Sequence, residues 1–142
     1  MKIKNEHPPI YDKILLAGMQ PTDSAIYAYG DTIYNPSGMV IPDHTIVHEE
    51  THCRQQDDDP NSWWDRYLDD GYFRIQQEVE AYANQYNFIC KVQKDRNRRD
   101  VILRDMARIL SSPTYGSIIG SSAAYKMIKD KSNEQSKKRV QA

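Results

Sequence analysis

The 142-residue chain is poor in several things at once. It has two cysteines, Cys53 and Cys90, with no C-x-x-C spacing, which excludes a disulfide framework and a cysteine-based zinc knuckle. Two buried free thiols are the expectation. It has no apolar run near the ~20 residues that a membrane helix requires; Ile14-Leu15-Leu16-Ala17 is typical of its longest. Lys2 and Lys4 are not followed by an apolar core, so no secretory leader is read and a cytoplasmic location is expected. Its charges nearly cancel, 19 Lys and Arg against 20 Asp and Glu, which argues against a nucleic-acid binder that neutralises many phosphates. Hydrophobic residues make up only 39%, so the core should be small and part of the chain should lie outside it. At this length one domain is expected. What the chain does have is tyrosine: ten of its fourteen aromatics, too many for a disordered chain and a supply of hydroxyls for a site.

Along the chain, His7-Pro8-Pro9 and Gln20-Pro21 read as irregular, with one or two helical turns over Tyr11–Ala17. Three short β-branched and aromatic runs follow: Ala25–Tyr29, Thr32–Tyr34 and Met39–Ile41. They are separated by Gly30-Asp31 and Asn35-Pro36-Ser37-Gly38 and predict a small antiparallel sheet of two or three strands. From Asp43 the pattern becomes helical. Asp43 is the expected cap of a helix over His44–Asp57, and Asn61 or Ser62 of a short one ending by Gly71. A long helix over Tyr72–Lys94 carries the stripe Phe73, Ile75, Val79, Ala83, Tyr86 and Cys90. Another is expected over Arg98–Leu110, capped by Asn97, and a weaker last one near Ser121–Lys129. Residues 129–142 hold five Lys or Arg and two Asp or Glu with almost nothing apolar, and are expected to form a disordered basic tail. The fold class expected is α+β, mainly helical, with the small sheet ahead of the first long helix.

Three of the four histidines fall within nine residues, His44, His48 and His52, and His48-Glu49-Glu50-Thr51-His52 reads H-E-x-x-H. On a helix, positions four apart share a face about 6 Å apart along the axis, so two imidazoles can reach one ion at bond lengths of about 2.1 Å. Glu49 is then placed to take a proton from water activated by that ion. His44 lies about 12 Å from His52 along the axis, too far for the same ion, and is expected at the surface or in a subsite. A catalytic zinc usually takes three protein ligands. No histidine follows the motif: position 55 is Gln55 and position 58 is Asp58. The third ligand should therefore be a carboxylate, and Glu78 and Glu80 are the two glutamates between the motif and the tail. Two positions apart, they point about 200° apart on a helix, so one alone can face the ion. Glu78 flanks the apolar stripe, which favours it.

These residues resemble the gluzincins, zinc metallopeptidases with two histidines from H-E-x-x-H and a glutamate on a later helix. Glu78-Val79-Glu80-Ala81-Tyr82 resembles the E-x-x-A-D segment of that later helix, with Tyr82 where an acidic residue is usual. The stretch from Gly30–Tyr34 through His48–Gln56 to Tyr82 looks like small phage and bacterial metallopeptidases. The resemblance implies a zincin-like minimal domain over residues 1–128 and a Zn²⁺ cofactor on His48, His52 and Glu78. It also implies Glu49 as the base in peptide-bond hydrolysis. Asp43, Glu50, Tyr82 or a backbone carbonyl would then support the imidazoles, in place of the missing acid. It implies an extended substrate along an edge strand within Ala25–Ile41 and an oxyanion partner, for which Tyr115 is the candidate. Trp63-Trp64 is expected to anchor the short helix to the core. The partners implied are a peptide or protein substrate, including cell-wall peptide, with neither nucleic acid nor membrane. The competing expectation is a phage-particle protein, virion-associated, that keeps the zinc-binding fold without turnover.

Overall fold

The computed structural model describes residues 1–141, with side chains described through residue 138. Three strands, β1 (Lys2–Lys4), β2 (Tyr27–Tyr29) and β3 (Thr32–Tyr34), form one sheet in the order β1-β3-β2. Six helices follow or intervene: α1 (Tyr11–Leu16), α2 (Asp43–Gln56), α3 (Pro60–Asp69), α4 (Gly71–Val92), α5 (Arg96–Leu110) and α6 (Ser121–Gln141). The α+β, mainly helical class expected from the pattern is the one observed. No helix of the described residues is long and apolar enough to cross a membrane.

The sheet departs from the purely antiparallel one expected. β2 and β3 form the anticipated hairpin, with Tyr29 opposite Thr32 across Gly30-Asp31, and Gly30 at φ +65° supplies the turn. Met39–Ile41, however, is not a strand. The other flank of β3 is taken in parallel by β1, with Asn35 N–H donating to the Lys4 carbonyl at 2.8 Å. Asn35 also folds the following loop, its Nδ2 donating to the Met39 carbonyl, and Val40 is left 95% exposed. β1 is exposed at all three positions, so no hydrophobic alternation marks it in the sequence.

The caps of α3, α4 and α5 are aspartates, and those of α3 and α5 sit two or three residues earlier than the pattern suggests. Asp59 accepts from Ser62 N–H, with Pro60 at the first helical position where its missing N–H costs nothing. Asp70 accepts from Phe73 N–H and Asp95 from Asn97 and Arg98 N–H. At α2 the cap position is Pro42, and Asp43 is the first helical residue, placed to act on the helix dipole rather than to cap.

Two apolar cores flank α2. One packs Ile75, Val79 and Ala83 of α4 against Leu103, Met106 and Leu110 of α5 and Ala124 and Ile128 of α6. The other joins Ile10 and Ile14 of α1 to Tyr27, Tyr34, Trp63, Trp64 and Tyr67, so the two tryptophans do anchor α3. The last helix does not stop near Lys129. It runs to Gln141, and residues 130–141 are helical where a disordered tail was expected. Ser132 is buried and its carbonyl accepts from Asn87 Nδ2 of α4, so packing against α4 extends a helix that composition alone would end.

Candidate metal centre

Helix α2 is unusual in what it buries. Its inward residues are His48, Glu49, Thr51, His52, Cys53 and Gln56, nearly all polar. Burying polar groups costs roughly 1–3 kcal/mol each unless they are hydrogen-bonded. Among the described residues no fully enclosed side-chain nitrogen or oxygen lacks a partner, and Glu49 meets the cavity instead.

Gln56 pairs with Gly30 and Ala28 of the hairpin, and the imidazoles meet α4, whose Glu78, Tyr82 and Gln85 lie at i, i+4 and i+7 and so share one face. Glu78, 3% exposed, sets Oε1 between His48 Nε2 at 3.0 Å and His52 Nε2 at 3.2 Å. Its Oε2 accepts from the Tyr67 hydroxyl at 2.6 Å, which leaves Oε1 as the oxygen offered to an ion. The three ligand atoms of His48, His52 and Glu78 lie within 4.8 Å of one another and all three residues are buried. Two of the three spacings, 3.0 and 3.2 Å, are close to the roughly 3.4 Å between donors that share one tetrahedral ion with bonds near 2.1 Å. Two imidazoles and a carboxylate form a donor set that could hold a divalent metal ion.

Glu80 does not join them. It accepts from Gln55 Nε2 at 2.7 Å, one residue removed from the site. His44 is half-buried and is no ligand; its Nδ1 accepts from Gln85 Nε2 at 2.8 Å. The residues that support the imidazoles are not those anticipated. Gln85 Oε1 lies 3.0 Å from His48 Nδ1, and Gln55 Oε1 lies 2.8 Å from His52 Nδ1. Asp43 and Glu50 play no such part, and Tyr82 instead presents its ring to His48 at 4.5 Å between centroids. Helical phase could have flagged both glutamines, three residues after His52 and seven after Glu78. Tyr67 belongs to a different helix and left no such signal.

The electrostatics follow from close packing. Burial alone would raise the Glu78 carboxyl, but the two imidazoles win and hold it well below its ordinary range. Burial alone would lower His52, but Glu78 raises it to about 9. Burial pushes Glu49 up, against His48 and His52 and with help from Glu78. No hydrogen bond from another described side chain holds the Glu49 carboxylate, which faces a cavity of about 750 Å³ shared with all three candidate ligands.

Tyr115 also lines that cavity. A 3-10 turn over Pro113–Tyr115 ends in Gly116 at φ +94°, a position where a Cβ would come 2.9 Å from Arg74 Nη1. Arg74 donates to the Tyr115, Tyr67 and Leu68 carbonyls and so ties the turn to the end of α3. The Tyr115 and Tyr82 hydroxyls are 2.9 Å apart. Burial, then the Glu78 charge, raises both, so both remain protonated donors at neutral pH.

No protein-family model, curated protein or solved structure matches the chain.

Proposed function

We propose that the protein is a zinc-dependent metallopeptidase of the gluzincin kind that hydrolyses peptide bonds, with His48, His52 and Glu78 as ligands and Glu49 as general base. The observation that carries this is the buried three-residue group with an unbonded glutamate beside it at the wall of an open cavity. A protein that kept zinc only for its fold would gain nothing by burying a free carboxylate there. The phage-particle reading without turnover has no comparable observation in its favour.

A bound zinc ion would supply Lewis acidity and lower the pKa of a water toward ~7. Glu49, its proton affinity raised by burial, is the residue that would take a proton from the attacking water and give it to the leaving nitrogen. Tyr115, hydrogen-bonded to Tyr82, donates its hydroxyl to the carbonyl oxygen as negative charge develops. The substrate runs beside the edge strand β2, since Ser24–Ala28 line the cavity. The Ala28 carbonyl is already taken by Gln56 Nε2 and Trp64 Nε1, so pairing falls to the residues before it.

The cavity also speaks to the substrate. Its far end is walled by Ile89, Val92, Ile102, Met106 and Ile109, and its charged lining residues other than histidine are Glu49, Glu78 and Asp105. Among the described residues no lysine or arginine lines it. That suits an extended peptide with apolar side chains and repels a carboxylate-rich cell-wall peptide. The test is Glu49→Gln, assayed on a fluorogenic peptide library and by metal analysis. Zinc should be retained and turnover should fall by roughly 10²–10⁴-fold. Unchanged turnover removes Glu49 as base, and a wild-type chain that takes up no zinc ends the proposal.

A further inference from the structure

Each candidate imidazole is touched on its far side by a glutamine amide, and the orientation of one amide can be deduced. Gln55 Nε2 donates to the Gln77 carbonyl at 3.0 Å and to Glu80 Oε1 at 2.7 Å. Both of those oxygens only accept hydrogen bonds. Turning the amide round would press its oxygen against a carbonyl and a carboxylate. Gln55 Oε1 therefore faces His52 Nδ1, and since an amide oxygen only accepts, that nitrogen carries a hydrogen. In the neutral ring the lone pair is then on Nε2, the atom beside Glu78.

Gln85 stands the same way toward His48. Its Oε1 is 3.0 Å from His48 Nδ1, and its Nε2 donates to His44 Nδ1 at 2.8 Å. This orientation again puts the hydrogen on Nδ1 and leaves Nε2, 3.0 Å from Glu78 Oε1, as the coordinating atom. His44 is the second partner of the Gln85 amide, its Nδ1 accepting in this orientation.

We propose that Gln55 and Gln85 are the positioning residues of the metal centre, fixing His52 and His48 as Nδ1–H tautomers whose Nε2 lone pairs converge with Glu78 on one ion. The inference rests on the metal reading and not on peptide hydrolysis. Both supports are neutral amides, so the rings gain orientation without added negative charge, and Glu78 remains the one carboxylate ligand facing the ion. Glu80 acts at one remove, by turning Gln55.

The test is zinc affinity by chelator competition on the full chain, for wild type, Gln55→Leu, Gln85→Leu and Gln85→Glu, with thermal unfolding of each metal-free protein alongside. Nitrogen-15 NMR of the zinc-loaded wild-type imidazoles reads the tautomers directly. Each leucine variant should lose roughly 10–100-fold in affinity, and Gln85→Glu, which keeps an acceptor oxygen, should recover most of it. A purely structural role would lower the melting temperature without separating Leu from Glu in zinc affinity. Should a leucine variant fail to fold, Glu80→Ala, which leaves both glutamines in place, should weaken zinc in the same direction but less. Leucine variants within about threefold of wild type, or coordination through Nδ1, overturn the inference and leave the metal reading standing. A wild type that binds no zinc overturns both.

Discussion

Replacing Glu78 and Glu80 separately by alanine tests the geometry of the centre most sharply, because the two differ by two positions and by everything around them. Glu78 is 3% exposed and holds three groups, His48 Nε2, His52 Nε2 and the Tyr67 hydroxyl. Glu80 is half-buried and holds one, Gln55 Nε2. Structural zinc binding of ~10–16 kcal/mol spread over four ligands is about 3 kcal/mol per ligand, or roughly 10²-fold in affinity. At a zinc level about 100-fold above the wild-type dissociation constant, wild type gains ~2.7 kcal/mol of stability. Glu78→Ala, near half-saturation at that level, gains about 0.4 kcal/mol. Its metal-free form should also be weaker by roughly 3 kcal/mol, the low end for breaking a buried charged network, because the imidazoles can shed their protons. Glu80→Ala loses one hydrogen bond, worth about 0.5–1.5 kcal/mol, and keeps most of its zinc-dependent gain. Denaturant unfolding with and without zinc, beside chelator competition, measures all four quantities. An equal or larger zinc defect in Glu80→Ala refutes the ligand assignment.

Metal-free stability should depend on pH in a stated direction. His52, raised from 6.5 to about 9, contributes fully below pH 6.5 and loses that contribution as pH rises through 9. Glu78, lowered from 4.5, contributes above pH 4.5 and loses it as the pH falls. Glu49, raised from 4.5 by burial, weakens the fold as pH rises from that value. Melts in chelator should decline between pH 6.5 and 9, and a flat profile there contradicts the His52–Glu78 pairing. Tyr115→Phe should lower kcat by roughly 10²-fold with zinc affinity unchanged, and an unaltered kcat removes Tyr115 from the chemistry. Ile128→Ala, at a fully buried position, should cost about 2–5 kcal/mol in urea unfolding; a loss below about 1 kcal/mol contradicts the docking of α6 on α4 and α5.

How much of this was legible in the sequence depended on whether the signal was local. H-E-x-x-H places two imidazoles on one helical face by backbone geometry alone, and helical phase separates Glu78 from Glu80. Both follow from spacing within a helix, and the structure brings His48, His52 and Glu78 together. The hairpin β2–β3 was equally local, fixed by Gly30-Asp31. β1 was not, because its pairing is a long-range backbone match of three exposed residues with no side-chain pattern to announce it. The extent of α6 was likewise hidden: its composition reads as tail, and its contacts with α4 decide otherwise.

The sequence by itself determined which atoms can meet a metal, since residue type and helical period set donor chemistry and direction. The tertiary structure alone decided how those atoms are held. Gln55, Gln85 and Tyr67 become partners of the centre only when α2, α3 and α4 pack together. The burial that this packing imposes is what raises Glu49, and the charges it brings into contact are what oppose His52 and Glu78. The physical reason is that hydrogen bonds between helices and the loss of water around a charge are properties of packing, and no single element contains them.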